Sequence, residues 1–190
     1  MTGGFDRQPA LAHAQVKLRP LAAIDWDALY AVAADPLIWS LHPAHDRWQE
    51  PVFRGFFAEA LASGGALVAS DPQTGAIIGS SRFDTARAEP GEIEIGWTFL
   101  ARSHWGGATN MAMKALMIGH ALSHFDRVIF LIGETNLRSR RALEKIGGTL
   151  TDRTITADLP VGPVRHVVYA IDRAGFAQGP LAALWLDRNA

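Results

Sequence analysis

The chain has 190 residues, 48% of them hydrophobic and 19% charged, with a formal net charge of −1. That is enough to bury one good core, and it sets the expectation of a single soluble domain over 15–190. The near-neutral balance argues against nucleic acid or an anionic membrane surface as partner, and the lack of cysteine removes disulfides, thiolate metal ligands and a cysteine nucleophile.

Met1–Ala14, with Gly3, Gly4 and Pro9, reads as a flexible N-terminal tail. It lacks the basic-then-apolar pattern of a secretory signal, and no apolar run approaches the ~20 residues of a bilayer span; the expected location is the cytoplasm. Gln15–Leu21 alternates and reads as a strand. Asp25 is placed to cap a helix carrying Trp26, Leu29, Tyr30 and Ala33 that ends before Pro36. A second helix is expected from Glu50 to Ala62, with Phe53, Phe56, Phe57 and Ala60 on its apolar side. Ala66–Ser70, Ala76–Phe83 and Glu92–Leu100 read as an antiparallel meander, because the turns between them are too short for crossovers. A helix over Gly107–His124 precedes the apolar strand Arg127–Gly133. Another helix runs from Asn136 to Ile146 and stops at Gly147-Gly148. Strands near Thr149–Ala157 and Arg165–Ile171 close the sheet, and an apolar tail with Leu181, Leu184 and Trp185 follows. This order predicts a mixed sheet with helices on both faces.

Within Glu92–Leu100, alternation places Ile93, Ile95, Trp97 and Phe99 on one face and Glu92, Glu94, Thr98 and Leu100 on the other. Gly96 between them marks a bulge or a close backbone approach. The chain then reaches Trp105-Gly106-Gly107-Ala108-Thr109-Asn110, where small residues open a helix. Converging backbone N–H groups and the positive end of the helix dipole would suit a pyrophosphate there. Gly-Gly before a helix is also a common turn, so the loop alone leaves both readings open.

Glu94-Ile95-Gly96-Trp97, Trp105-Gly106-Gly107-Ala108, and Asn136 followed by Ser139 and Lys145-Ile146-Gly147 occur in that order. Together they resemble the GNAT superfamily, and within it the ribosomal-protein N-terminal acetyltransferase group. The resemblance covers about Gln15 to Ile171. It implies an α/β fold with a mixed, mostly antiparallel central sheet, a splayed parallel strand pair, and helices on both faces. It also implies acetyl-CoA as cosubstrate, with the pyrophosphate held by Trp105, Gly106, Gly107, Ala108, Thr109 and Asn110. Backbone groups of Phe99 and Leu100 would then meet the pantetheine arm, and Asn136 its amide. The family often has Gln or Arg three residues before the first loop glycine; here Ser103 stands there and Arg102 one earlier, so no phosphate contact is assigned to Arg102.

Acetyl transfer to an amine needs an acceptor for the ammonium proton and benefits from a proton on the leaving sulfur. Direct attack in a ternary complex is the simpler route for a chain with no cysteine and no nucleophile elbow. The resemblance makes Glu94 the base, acting through an ordered water, with Glu92 on the same face as a neighbour able to raise its pKa. The plain alternative is a pair of solvated carboxylates on a half-exposed strand. Ser139 shares the inward stripe with Ala142, Leu143 and Ile146 and is the candidate proton donor. The tyrosine many family members use falls at Leu143, and that departure favours a rival reading, a non-catalytic acyl-CoA-binding module. Asn136 also suits an N-cap.

His42, His45, His120 and His124 lack a partner cluster, so no metal is expected. Met113 and Met117 read as core, and Arg138, Arg140 and Arg141 as solvated helix residues of which one could reach a phosphate. Trp39–Trp48 borders the acceptor side by resemblance and is the candidate lip for an amine, either a protein N-terminus or a small molecule. The apolar C-terminal tail would suit a homodimer or packing on its own domain.

Overall fold

The computed structural model describes residues 4–159 and 162–189. Strands β1 (Leu11–His13) and β2 (Val16–Pro20) lead into helices α1 (Trp26–Ala33), α2 (Pro36–Trp39) and α3 (Glu50–Ala62). The strands β3 (Ala66–Ser70), β4 (Ile77–Asp84) and β5 (Glu92–Leu100) follow, then α4 (Ala108–Leu122), β6 (Arg127–Gly133) and α5 (Leu137–Lys145). A hairpin of β7 (Thr149–Leu159) and β8 (Gly162–Asp172) precedes the short helices α6 (Arg173–Gln178) and α7 (Ala182–Leu186). The described strands form one eight-stranded sheet in the order β1-β2-β3-β4-β5-β6-β8-β7. Every neighbouring pair is antiparallel except β5 and β6. Parallel neighbours need a crossover, and α4 supplies it.

Helices cover both faces. α4 and α5 pack with Ile93, Ile95, Val128 and Phe130 on one side, joined by Phe176 of α6. On the other side α1 to α3 enclose Trp39, Phe53, Phe56, Val68 and Phe99.

Two features of β5 shape everything that follows. It pairs with β6 only over Glu92–Glu94 against Arg127–Ile129. Beyond that point β5 stays with β4 and β6 stays with β8, so the two strands part and leave a cleft. The second feature is a bulge. Opposite β5, the register steps from Arg82↔Gly96 to Ser80↔Phe99, one residue longer on β5 than on β4. Trp97 takes it up with a φ of 52°, a conformation that a bulky residue adopts only under constraint. The extra residue reverses the alternation. Ile93 and Ile95 face α4, as does Leu100, whereas Phe99 and Trp97 join the α1–α3 side. The expected single face of Ile93, Ile95, Trp97 and Phe99 is therefore corrected; Gly96 marks the break.

The expectation of a loose tail over 1–14 is not met from Phe5 onward, while residues 1–3 lie outside the described residues. β1 pairs with β2, the Arg7 guanidinium donates to the Ser63 carbonyl at 2.9 Å, and the Phe5 ring sits 5.4 Å from Phe83 and 4.8 Å from His120. One aromatic and one guanidinium hold a segment that its glycines and proline would leave free. The C-terminal tail packs on its own chain: Leu181 is buried, and Trp185 lies so close over Gly119 of α4 that an added Cβ would meet the indole at 2.3 Å. Its apolarity thus gives no support to a homodimer.

Candidate active site

Past Leu100 the chain makes one 3-10 turn, Arg102–His104, and the Trp105 indole donates to the Leu100 carbonyl at 2.9 Å, tying the loop to the end of β5. Gly106 then adopts a φ of 68°, which favours glycine. Gly107 caps α4 with no side-chain hydrogen bond, so the first N–H groups of a long helix, from Ala108, Thr109 and Asn110, are left to other partners. A Cβ added at Gly106 or Gly107 would meet nothing within 4 Å. Room, unpaired donors and the positive dipole end coincide, and these residues fit a pyrophosphate.

Two arginines lie near this loop, and one differs from expectation. Arg102 donates from Nε to Asp35 at 2.5 Å, so its charge is already engaged. Arg138 is not simply solvated: its Cζ lies 4.4 Å from the Trp105 ring centroid and it donates to the Ile38 carbonyl at 2.9 Å. It borders the loop that Arg102 does not serve.

Along the cleft, strand alternation decides which backbone groups are turned toward a ligand. A Cβ on Gly79 of β4 would meet the Phe99 carbonyl at 2.1 Å, so that carbonyl points at β4. The cleft-facing groups belong to Leu100 and, two residues back, Thr98. This moves the expected pantetheine contact off Phe99, and the Leu100 carbonyl is already shared with Trp105.

Glu94 projects from β5 on the face opposite α4 and is only 1% exposed. It is held by Arg87 in two bonds, Nη2 to Oε1 at 2.6 Å and Nε to Oε2 at 3.0 Å. Burial pushes its carboxyl up to about 7; Arg87 opposes that and Asp84 adds to it. Glu92 is not the cause of the rise. It is held by Arg153 at 2.8 Å, Arg127 and the Glu89 amide, and although burial works upward these partners keep it below its ordinary value. The two carboxylates are thus separated chemically, and only Glu94 is poised near neutrality. Neither is a solvated surface residue.

Asn136 is buried and caps α5, its Oδ1 accepting from the Ser139 amide at 3.2 Å. Ser139 is half-buried one turn into α5, and Leu143 is core. Tyr169 donates to Glu144 at 2.7 Å and accepts from Arg140 at 3.1 Å, so its hydroxyl is occupied. Trp39 ends α2, and the rest of Trp39–Trp48 folds as turns and bends. Trp39 is packed 5.1 Å from Phe99, and Pro43 reaches the end of β6, where a Cβ on Gly133 would meet it at 2.8 Å. This segment therefore crosses the end of the splayed pair. His42 accepts from the Ala44 amide through Nδ1 at 2.9 Å, and burial, with Arg47 and His166, holds its pKa down at about 3. Among the described residues no group of His, Asp and Glu could hold a metal, and none of the described helices is long and apolar enough to cross a membrane.

A splayed parallel pair beside a glycine loop that opens a helix is the geometry the motifs pointed to, and the comparisons agree. The acetyltransferase (GNAT) domain profile matches residues 15–149. The chain belongs to the GNAT acetyltransferases. A comparison with curated proteins finds no match. A GCN5-related N-acetyltransferase from Brucella melitensis is similar in structure, with a TM-score of 0.76 at 17% identity, covering 94% of this chain and 84% of that one. A putative acetyltransferase from T. thermophilus aligns with a TM-score of 0.71 at 25% identity over 93% and 94%. Mycobacterium smegmatis RimJ, in complex with CoA-disulfide, aligns with a TM-score of 0.67 at 17% identity over 94% and 91%.

For a GNAT domain, three residues in this site escape the motifs. Arg87, in the turn before β5, holds Glu94. Arg82 on β4 lies beside Gly96 and stacks at 4.4 Å from the Trp97 ring centroid. Lys114 of α4, 6% exposed, donates to the Thr98 hydroxyl at 2.8 Å and sits 5.3 Å from the Phe130 ring centroid; burial lowers its pKa to about 7. A lone lysine among Met113, Ala115, Leu116 and Met117 was a legible sign of a buried amine. The arginines left no such sign.

Proposed function

We propose that the protein is an acetyl-CoA-dependent N-acetyltransferase that moves an acetyl group to a primary amine by direct attack. The observation that carries this is the cleft between β5 and β6, with the α4 N-terminus at its mouth and Glu94 on the acceptor face. Bound acetyl-CoA supplies an activated thioester, whose C–S bond breaks as the amine nitrogen forms the amide. The loop Trp105 to Asn110 orients the pyrophosphate, and Leu100 with Asn136 meets the pantetheine arm. Glu94 takes the amine's proton at a carboxylate oxygen, directly or through a water. A base near 7 has the right strength for that at neutral pH. Arg87 fixes the carboxylate's orientation. Ser139 Oγ donates toward the leaving sulfur.

Release of free thiol from acetyl-CoA, measured across a panel of small amines and peptide N-termini, tests the reading. The expected result is acetylation of at least one amine, with Glu94→Gln lowering turnover on the order of 10²-fold and leaving acetyl-CoA affinity within a factor of about two. Unchanged turnover in Glu94→Gln would move the base elsewhere. Tight acetyl-CoA binding with no amine ever acetylated would leave the acyl-CoA-binding module as the better account.

A further inference from the structure

The face that carries Glu94 also carries an alternation of guanidinium groups and aromatic rings. Arg87 lies 4.9 Å from the Trp97 ring centroid and Arg82 lies 4.4 Å from the same ring. Arg82 is also 5.9 Å from the Phe56 ring, and Arg47 is 4.7 Å from Phe56 and 5.6 Å from Trp39. Five stretches of chain meet to build this row: α2 with the turn segment after it, α3, β4, the turn before β5 that carries Arg87, and the bulge of β5.

The charges in the row are not balanced alike. Arg87 is paired with Glu94. Arg82 is 5% exposed, and its Nε and Nη2 have no hydrogen-bond partner among the described residues. The carboxylates of Asp84, Glu59 and Glu94 act on it only from beyond hydrogen-bond reach, and Glu94 is already held by Arg87. The rings cover the faces of the guanidinium but cannot satisfy the N–H groups at its edge. An unsatisfied buried cation costs several kcal/mol, so a fold that keeps one is incomplete without an anion. The unused edge, Nε with Nη2, is the same edge by which Arg87 grips Glu94 in two bonds. A planar carboxylate matches that fork.

We propose that the acceptor is an amine bearing a carboxylate, which the Nε–Nη2 edge of Arg82 receives in two hydrogen bonds, with Arg47 as the second cation. This deepens the acetyl-transfer reading above and rests on it. Arg82 holds the acid group while the amine lies toward Glu94, so the subsite selects the acceptor and places its nitrogen. Because the unused donors are closed off from solvent, entry displaces the turn segment 40–49, which carries Arg47.

The test compares matched amines with and without the acid, after circular dichroism shows each variant folded. Glutamate, its dimethyl ester, an amidated peptide beginning with glutamate and the same peptide beginning with glutamine are assayed for kcat/KM. The expected preference for acid over neutral partner is about ten- to a hundredfold, carried by KM, and the ratio falls toward one in Arg82→Gln. Preference between the free amino acids identifies a free carboxylate; preference confined to the peptides identifies an acidic side chain at a protein N-terminus. Arg47→Gln, a change at a less buried position, is expected to reduce the same ratio and guards against a misfolded Arg82 variant. Equal kcat/KM for acid and neutral partners, or a ratio unmoved in both variants, overturns the proposal. Should no amine be acetylated, calorimetry of the same ligands with coenzyme A-loaded protein separates the two failures. Selective binding of the acid, lost in Arg82→Gln, keeps the subsite and rejects the transfer reading; no selectivity rejects the subsite.

Discussion

Replacing Lys114 with Met asks whether a buried amine under β5 behaves as its surroundings require. Among the described residues Lys114 has one hydrogen-bond acceptor, the Thr98 hydroxyl, which is also 2.8 Å from the Ser81 hydroxyl. The rest of its environment is Phe130 and the core of α4. Burial takes its pKa from 10.5 to about 7. The folded-state pKa lies below the unfolded one, so between these values the unfolded chain binds more protons and stability rises with pH. Below about 7 both states are charged and the full penalty applies, on the order of 5 kcal/mol at ~1.4 kcal/mol per pH unit. By pH 9 roughly half of it is relieved. Lys114→Met keeps the length and removes the charge, so it is expected to be more stable than the parent at pH 6. The gap should narrow by roughly 2–3 kcal/mol at pH 9, or about 1 M in urea midpoint for a slope near 2 kcal/mol/M. Urea titrations of both proteins at several pH values measure this, and other titrating groups cancel in the difference. A gap that stays constant from pH 6 to pH 9 would refute the buried, weakly solvated Lys114.

Gly107→Asp is the cleaner probe of the loop, because Gly107 has a φ of −99° and open space around it. Its carboxylate should cut acetyl-CoA affinity tenfold or more, at least ~1.4 kcal/mol by calorimetry, with stability unchanged. Arg87→Gln removes a cation that favours ionised Glu94, so the rising limb of kcat/KM against pH should move up by about one to two pH units; a limb that stays in place would separate Glu94 from the titration. Gly119→Val puts branched carbon into the Trp185 indole and should undock α7, seen as red-shifted tryptophan emission and a loss of about 1–3 kcal/mol.

Much of the chain could be read because its elements end at strong local signals. Gly64-Gly65 ends α3, and Asp71 to Gly75 and Glu89-Pro90-Gly91 separate the meander strands, so α3, β3, β5 and β6 fall where the sequence puts them. β1 was invisible for a physical reason: three residues carry no period, and its pairing with β2 is the only thing that makes it a strand. The turn at Gly106-Gly107 and the helix start after it could be seen in advance because both depend on local backbone preference. The charges around Glu94 could not. Which arginine faces which carboxylate depends on the register of β4 against β5, and register is a property of two strands together.

The bulge shows how far one residue reaches. Had β5 kept strict alternation, Trp97 would project toward α4 and Thr98 toward α1–α3. Lys114 would then lose its hydroxyl partner, and Arg82 would lose the ring that covers it. With the extra residue, Thr98 turns to Lys114, and Trp97 turns to lie between Arg82 and Arg87. Glu94, before the bulge, and Trp97, after it, come to share a face even though they stand three positions apart, an odd spacing that plain alternation would send to opposite sides. A strained φ at Trp97, costing on the order of 1–3 kcal/mol, is retained where its ring lies between Arg87, the partner of Glu94, and Arg82, just past the point where β5 and β6 part. A sequence pattern of Ile93, Ile95, Trp97 and Phe99 conceals that arrangement, and Gly96 is its only local trace.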